Sequence, residues 1–129
     1  MHDQLARASI GRAGEYLALS RISRYGHKCN LIHGSVDDAY IKTIDGLILT
    51  LQIKTASAPP AGRRSYSFHT KTIKNHKRSD VWAFVVLDFE NIFFCRGDSP
   101  IIQKFQTRLK PAMFLNEKTS MKEVFNSFS

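Results

Sequence analysis

The stretch from Leu47 to Lys54 alternates strictly between two kinds of side chain. One set is Leu47, Leu49, Leu51 and Ile53, and the other is Ile48, Thr50, Gln52 and Lys54. Side chains of a β-strand return to the same face at every second residue, so this period predicts a strand and not a helix. Gln52 and Lys54 should therefore project together from one face, close to the end of the strand.

The turn before this strand sets its register against the preceding residues, and two registers can be written. If Asp45-Gly46 were a two-residue turn, Asp37 would share the face of Gln52. Lys42 would then point among the leucines, which gives a poor apolar face. In this register Asp37 is the candidate acid.

We favour the other register, in which the loop has three residues and Gly46 takes the left-handed position of a bulge. Ala39 and Ile41 then join the leucines on the apolar face. Asp38 lies opposite Gln52. A carboxylate, an amide and a lysine would converge on one polar patch. The plain alternative is an amphipathic hairpin with an ordinary cross-strand pair of acid and base.

The length and composition fit a compact protein. A chain of 129 residues with 43% hydrophobic residues can build a core. We expect a single domain over 1–129, with its core in 10–95 and C-terminal helices in 100–128. No run of about 18 apolar residues occurs, so we expect no membrane-spanning helix. The first residues lack the layout of a signal peptide, which predicts a cytoplasmic protein.

The two cysteines, Cys29 and Cys95, lie far apart in apolar, strand-like stretches. We interpret both as buried thiols and not as a disulfide. His27 and His33 flank Cys29, but no second ligand pair follows at the spacing of a zinc finger. We therefore do not predict a structural zinc site.

Positive charge is concentrated in one part of the chain. The formal net charge is +8, which favours a polyanionic partner. Between Gly46 and Ser79 there is no acidic residue. A basic loop is often only a solvated surface, but a stretch this one-sided beside the polar patch favours contact with a phosphate backbone. The candidate DNA-binding residues are Arg63, Arg64, Lys71, Lys74, His76, Lys77 and Arg78.

The first part of the chain has a helical pattern. Apolar residues recur at steps of three and four from Asp3 to Tyr25, and Gly26 supplies a stop. Gly11 and Gly14 lower the helix propensity. We therefore expect each of them to allow the close approach of another backbone or of a ligand.

Glu15 lies at the edge of this apolar stripe, about 80 to 100 degrees from its centre. From that position it could face the rim of the core. It could also lie at the surface in an ion pair with Arg12 or Arg21. The helical period alone leaves both positions open.

Several further stretches have strand character, and they are 27–33, 65–70, 81–87 and 92–95. The third is apolar on both faces, as a central buried strand would be, so we interpret Trp82 as a core residue. The fourth follows a turn at 88–91 and completes a second hairpin. Residues 56–62 contain paired prolines and small residues, which predict a loop beside the polar patch. Residues 72–79 are basic and predict a turn or a short helix.

Two helices are expected near the C-terminal end. Asp98 or Ser99 would cap the first helix, which would run to about Lys110. Ser120 and Glu123 have the spacing of a capping box for the second helix. The order of helix, strands and helices predicts an α/β or α+β domain built on one sheet.

Four of these elements resemble the PD-(D/E)XK nuclease superfamily. They are Gly11-Arg12-Ala13-Gly14-Glu15, Asp38-Ala39-Tyr40-Ile41, Gln52-Ile53-Lys54-Thr55-Ala56 and the apolar strand after Asp80. The resemblance runs from Gly11 to about Cys95. It implies a restriction-endonuclease-like fold, a mixed central sheet flanked by helices. The Gln-X-Lys-Thr ending is most similar to intron-encoded homing endonucleases and their small phage relatives.

The resemblance also implies roles for individual residues. Asp38 would bind a divalent metal ion, Mg²⁺ or alternatively Mn²⁺. Gln52 stands where most relatives have Asp or Glu and would contribute an amide oxygen, with the carbonyl of Ile53 as a further ligand. Lys54 would orient the attacking water or stabilise the pentacovalent phosphate. Glu15 matches a first-helix glutamate that completes the metal site in several branches.

The neutral amide of Gln52 departs from the usual pattern of this superfamily. A neutral amide brings less negative charge to a metal ion than a carboxylate does. Glu15 would then have to supply the missing charge. Alternatively, the site has lost its activity and the protein only binds DNA.

The resemblance therefore implies a metal-dependent DNA endonuclease, a site-specific homing or phage-type enzyme that acts on double-stranded DNA. Cutting both strands normally needs two sites, so we expect a homodimer or a homotetramer. The alternatives are a Holliday junction resolvase and a noncatalytic nucleic-acid-binding module on the same fold. A basic RNA-binding domain without nuclease ancestry would predict Asp38 far from Gln52.

Overall fold

The computed structural model of the protein describes residues 4–33, 35, 37–56, 64–71 and 78–129. Two α-helices and seven strands lie within these ranges. The helices are α1 (Gln4–Arg24) and α2 (Glu117–Asn126), and the strands are β1 (Lys28–Leu31), β2 (Ala39–Lys42), β3 (Ile48–Ala56), β4 (Tyr66–His69), β5 (Val81–Val86), β6 (Asn91–Arg96) and β7 (Gln106–Leu109). Short 3₁₀ turns occupy Leu87–Phe89 and Pro111–Leu115.

Five of the strands form a mixed sheet in the order β1-β2-β3-β5-β6. Strands β1, β2 and β3 are antiparallel neighbours, as are β5 and β6, whereas β3 and β5 run parallel. Strand β5 is central and buried at every residue, because both faces of the sheet are covered. The prediction of a mixed α/β fold is confirmed, and so is the second hairpin.

The register predicted for the central hairpin is confirmed. Ala39 lies opposite Leu51 and Ile41 lies opposite Leu49. Gly46 has φ +90°, the left-handed conformation that the three-residue loop requires. Extending this register by one residue puts Asp38 beside Gln52.

The two faces of the sheet are covered by different layers. Helices α1 and α2 pack on one face and bury Ala18, Ile22, Met121 and Phe125 against it. Strands β4 and β7 pair with each other and form a separate two-stranded ribbon on the other face. The sheet is therefore enclosed between a helical layer and a β-ribbon.

Helix α1 approaches strand β3 most closely at Gly14. A Cβ atom at this position would overlap the side chain of Thr55, so only glycine fits there. The expectation of a close approach is thus correct for Gly14. For Gly11 no other backbone approaches, because no atom of the described residues lies within 4 Å of the position that its Cβ would take.

The helix predicted from Asp98 or Ser99 to Lys110 is wrong. Residues 97–102 form turns, and 106–109 form strand β7. In β7 the buried residues are Thr107 and Leu109, a period of two and not of 3.6. Pairing with β4 provides the hydrogen-bond partners that a helix would have supplied internally.

The last helix is confirmed, but its predicted capping box is wrong. Helix α2 begins at Glu117, with Asn116 as its N-cap and no side-chain capping hydrogen bond. Ser120 lies inside the helix and is buried. Its Oγ accepts a hydrogen bond from the Phe94 amide, 3.2 Å away, on the outer edge of β6. The hydroxyl thus satisfies part of a sheet edge that would otherwise be open.

Cys95 is buried, as predicted, and burial raises the pKa of its thiol to about 12. Cys29 is only half-buried, because strand β1 lies at the edge of the sheet. Both are free thiols. No helix in the described ranges combines the length and the apolar character needed to cross a bilayer.

Some predictions fall on residues that the structure does not describe. The loop predicted over 56–62 lies outside the described residues, except for Ala56, which ends β3. Most of the basic stretch 72–79 lies outside them too, as do Gly34 and the DNA-binding candidates Arg63, Lys74, His76 and Lys77.

A candidate catalytic centre where strand β2 begins

The candidate site lies where strand β3 continues past its neighbour β2. The pairing of the two strands ends at Ala39 and Leu51, so on this side no strand of the described residues lies beside β3 from Gln52 onward. The side chain of Asp38 fills this place. Its Oδ2 accepts a hydrogen bond from the backbone amide of Ile53, at 2.7 Å. The carboxylate thus replaces the missing strand.

Gln52 lies next to this carboxylate, as the register predicts. Its Nε2 donates a hydrogen bond to Oδ2 of Asp38, at 3.0 Å. One oxygen of Asp38 therefore accepts two hydrogen bonds from β3. The side-chain amide nitrogen of Gln52, and not its oxygen, therefore faces the carboxylate of Asp38.

Glu15 lies on α1 within electrostatic range of this carboxylate and of Arg12. Desolvation raises the pKa of Glu15, and the charge of Asp38 raises it further, while Arg12 and His33 lower it. Glu15 is half-buried.

Lys54 completes the cluster from the next outward-facing position of β3. Its charge lowers the pKa of Asp38, as does the amide of Ile53, but desolvation outweighs both and the pKa of Asp38 is raised. The ammonium of Lys54 lies 5.9 Å from the centroid of the Trp82 ring. A cation at this distance over an aromatic face is attracted by the ring.

The two other acids near the site have structural contacts. The hydroxyl of Ser79 donates a hydrogen bond to Asp37. Asp80 accepts hydrogen bonds from the amide and the hydroxyl of Thr50, at 3.0 and 3.2 Å. These contacts attach the start of β5 to the chain before β2 and to β3. Asp38, and not Asp37, therefore makes the contacts with β3.

The oxygen atoms of the cluster suit a hard divalent cation. Glu15 and Asp38 offer carboxylates, and their repulsion would be relieved by a positive ion between them. The carbonyl of Ile53 points to the same side of β3 as its amide, hence toward Asp38. Oxygen ligands are those that Mg²⁺ prefers. In the part of the chain that the structure describes, no group of three or more His, Cys, Asp or Glu side chains could hold a metal ion. A cation here would therefore depend on amide and carbonyl oxygens as well as on two carboxylates.

Three of the predicted DNA-binding residues lie within the described ranges. Arg64 precedes β4 and Lys71 follows it, and both side chains are exposed. Arg78 is half-buried, and its guanidinium donates a hydrogen bond to the carbonyl of Ile102 at 3.4 Å. Arg64 and Lys71 are thus available to a ligand, whereas Arg78 also braces the chain after β6.

Sequence reasoning missed the contact between Trp82 and Lys54. Trp82 is 3% exposed and was assigned correctly to the core. Its partner in the parallel register is Gln52, so its ring lies on the same face as the candidate site. Only the pairing of β3 with β5 could have revealed this, because the two residues belong to strands far apart in the chain.

Comparison with known proteins supports the fold. No protein-family model matches the chain, and no curated protein matches it either. Among solved structures, the chain is similar to a bacterial homing endonuclease, I-Ssp6803I, with a TM-score of 0.69. The similarity covers 100% of both chains at 16% sequence identity. At this identity the likeness shows a shared fold, a mixed α/β endonuclease-like architecture.

Proposed function

We propose that this protein is a divalent-metal-dependent endonuclease that hydrolyses phosphodiester bonds of double-stranded DNA. The observation that carries the proposal is the convergence of Asp38, Gln52, Lys54 and Glu15 at one edge of the sheet. The similarity of the fold to a homing endonuclease supports it. The PD-(D/E)XK motif is the class of site that fits these residues.

In this proposal Asp38 and Glu15 would hold Mg²⁺, or Mn²⁺, together with the carbonyl of Ile53 and the side-chain amide oxygen of Gln52. The bound cation would supply positive charge for the phosphate and a water of lowered pKa. Lys54 orients the attacking water and stabilises the negative charge that develops on the phosphate oxygens. Its contact with Trp82 limits where the ammonium can go.

The finer assignments are also proposals. We propose a homing or phage-type enzyme, active as a homodimer or homotetramer because two strands need two sites. We propose that it acts in the cytoplasm. A Holliday junction resolvase would share the same site chemistry, so comparing cleavage of a four-way junction with that of linear duplexes distinguishes the two.

A plasmid-nicking assay tests the proposal. We expect purified protein to nick supercoiled DNA in the presence of Mg²⁺ and to stop when EDTA is added. Asp38→Ala and Lys54→Ala should each reduce the cleavage rate by at least about 100-fold, because each removes a charge that acts on the reacting phosphate. Binding of a DNA duplex, measured in EDTA, should change much less.

Matched controls separate catalysis from general charge effects. Asp88→Ala removes an exposed acid beyond the other end of β5, and Lys118→Ala removes an exposed base from α2. Both should cut DNA at the wild-type rate. If the wild-type protein never cuts with Mg²⁺ or Mn²⁺, or if Asp38→Ala cuts at the wild-type rate, the nuclease proposal is wrong.

A noncatalytic DNA-binding module is the second candidate. It is favoured by one observation: the amide of Gln52 already donates a hydrogen bond to Asp38, so the carboxylate is stabilised without a metal ion. Gln52→Glu distinguishes the two candidates. In a nuclease the second carboxylate should preserve or raise cleavage, whereas a binding module should lose affinity because the new charge repels phosphate.

A further inference from the structure

The ribbon formed by β4 and β7 has one buried face and one exposed face. Tyr66 and Phe68 of β4 and Leu109 of β7 point inward and pack against the sheet. The side chains between them point outward. In the register of the ribbon, Ser67 lies opposite Arg108 and His69 lies opposite Gln106. The outer face is thus polar, short and regular.

The charge of this face is entirely positive. Neither 64–71 nor 104–110 contains an acidic residue. Arg64 and Arg108 line a shallow depression of about 330 Å³ together with Ser65 and Ser67. Among the described residues, neither guanidinium has a carboxylate partner. Two exposed arginines that line one depression without a counter-charge favour an anionic or hydrogen-bond-accepting ligand.

The ribbon lies on the same face of the sheet as the candidate catalytic residues. Phe68 of the ribbon contacts Phe84 of β5, with ring centroids 4.9 Å apart, and Phe84 is the register partner of Lys54. The outer face of the ribbon is therefore directed away from the sheet on the side from which Lys54 projects.

We propose that the β4–β7 ribbon enters the major groove of duplex DNA and reads base edges, with Arg108 on a guanine and Gln106 on an adenine. A two-stranded ribbon fits the major groove, and these side-chain types pair with these bases in a bidentate manner. The inference rests on the proposed DNA-cleaving function, and adds the element that selects the target.

The spacing of the two base-contacting residues, Gln106 and Arg108, predicts the spacing of the two bases. Gln106 and Arg108 are two residues apart on one strand, about 6.8 Å. Successive base pairs are about 3.4 Å apart along the duplex axis. The guanine and the adenine should therefore lie two base pairs apart in the recognised site. Duplex RNA should not be read in this way, since side chains cannot reach into its deep, narrow major groove.

Selection from a random DNA duplex library tests this inference. Full-length wild-type protein, Arg108→Ala and Gln106→Ala are each allowed to bind the library in EDTA, and the bound duplexes are sequenced. We expect Arg108→Ala to lose about tenfold preference at one guanine and to keep the rest of the motif. Gln106→Ala should lose the preference for an adenine two base pairs away.

The control is Lys118→Ala, which removes one positive charge from α2 on the opposite, helical layer. It should leave the motif unchanged. Arg108 and Gln106 are both exposed, and thermal melts will show whether the variants stay folded. A uniform loss of affinity across all sequences would overturn the inference. That result would mean that both residues contact the phosphate backbone and not the bases. Stronger binding of an RNA duplex of the same length would overturn it too.

Plasmid nicking with Mg²⁺ by the same preparations separates this inference from the proposed function. If the wild-type protein nicks DNA but the motif is the same in both variants, the ribbon inference fails and the nuclease proposal stands. If the wild-type protein does not nick DNA but each variant loses the preference for the base assigned to its residue, the nuclease proposal fails. The ribbon would then be the element that recognises the DNA sequence in a binding module. If the wild-type protein binds no duplex DNA, both fail.

Discussion

The carboxylate of Asp38 is held in a position that costs stability. It is half-buried, it lies near the like charge of Glu15, and its pKa is raised mainly by desolvation. The hydrogen bonds from Ile53 and Gln52 offset part of this cost. A carboxyl group whose pKa is shifted by such surroundings is typical of a functional site.

The raised pKa predicts how stability depends on pH. Because the pKa of Asp38 in the folded protein lies above its ordinary value of 3.8, the folded state binds its proton more tightly than the unfolded state. The stabilisation from protonated Asp38 is complete below pH 3.8 and is lost as the pH rises through the folded-state pKa. Asp38→Asn should therefore raise the melting temperature at neutral pH in EDTA.

Thermal melts of wild type and Asp38→Asn between pH 3 and pH 7 measure this effect. The two curves should converge at the acid end, where Asp38 is neutral in both states. Asp88→Asn, at an exposed acid, is the control and should follow the wild type. An Asp38→Asn protein that melts below the wild type at neutral pH would contradict the prediction.

Gly14 shows how closely a single residue can limit packing. A methyl group there would overlap Thr55, which follows Lys54 on β3. Gly14→Ala should therefore lower the free energy of unfolding by about 1–3 kcal/mol, the usual cost of overpacking. Displacement of β3 should also reduce cleavage.

Gly11 provides the matched control on the same helix. Nothing lies within 4 Å of its Cβ position, so Gly11→Ala should stabilise the protein by about 0.5–1 kcal/mol through better helix propensity. Urea unfolding of both variants measures the difference. Equal stability of the two variants would show that α1 and β3 are not in contact at Gly14.

At the scale of elements, the ribbon is where sequence reasoning failed. The residues from Ser99 to Lys110 have apolar positions at three- and four-residue steps, which favour a helix. In the folded chain Phe105 is 58% exposed, and Thr107 is fully buried instead. A threonine is an unexpected core residue, and only its partner explains it. The Oγ1 atoms of Thr107 and Thr70 are 2.9 Å apart across the ribbon.

This hydroxyl pair gives a test of the ribbon. Thr107→Val removes the acceptor for the Gln103 amide, 2.9 Å away, and leaves the Thr70 hydroxyl with only its hydrogen bond to the Gln103 carbonyl. We expect a loss of about 1–3 kcal/mol of unfolding free energy, the cost of a buried polar group without a hydrogen bond. Thermal or urea unfolding measures it.

The double variant Thr70→Val with Thr107→Val is the internal control. Each single variant already loses the hydrogen bond between the two hydroxyls, so the sum of the two single losses counts that bond twice, and the double variant should be less destabilised than the sum. Strictly additive losses would mean that the two threonines do not interact, and would contradict the hydroxyl contact across the ribbon.

At the scale of the whole molecule, the two layers that cover the sheet differ in the core that they enclose and in their charge. The helical layer with α1 and α2 encloses the larger core. The ribbon layer lies beside the candidate site and is basic without acidic residues. The net charge of +8 should therefore favour DNA mainly on the ribbon side.

Salt dependence of binding tests this asymmetry. The double variant Arg64→Ala with Lys71→Ala removes two charges on the ribbon side, and each lost phosphate contact should lower the slope of log K against log salt by about 0.9. Lys118→Ala with Lys122→Ala removes the same charge from α2 and should leave the slope unchanged. Equal changes in both double variants would mean that net charge alone, and not the ribbon side, governs binding.

Much of the candidate site could be predicted from the sequence because it depends on one hairpin. Only one register places Ala39, Ile41 and the leucines of β3 on the same face, and that register puts Asp38 beside Gln52. Which face each side chain of a strand takes is a local property, so it can be predicted from the order of residues along the chain. The direction of Glu15, the ring of Trp82 behind Lys54 and the pairing of β4 with β7 were decided only by the tertiary structure. Each of these depends on which surfaces meet across long separations, and the period of a single segment carries no information about its partner.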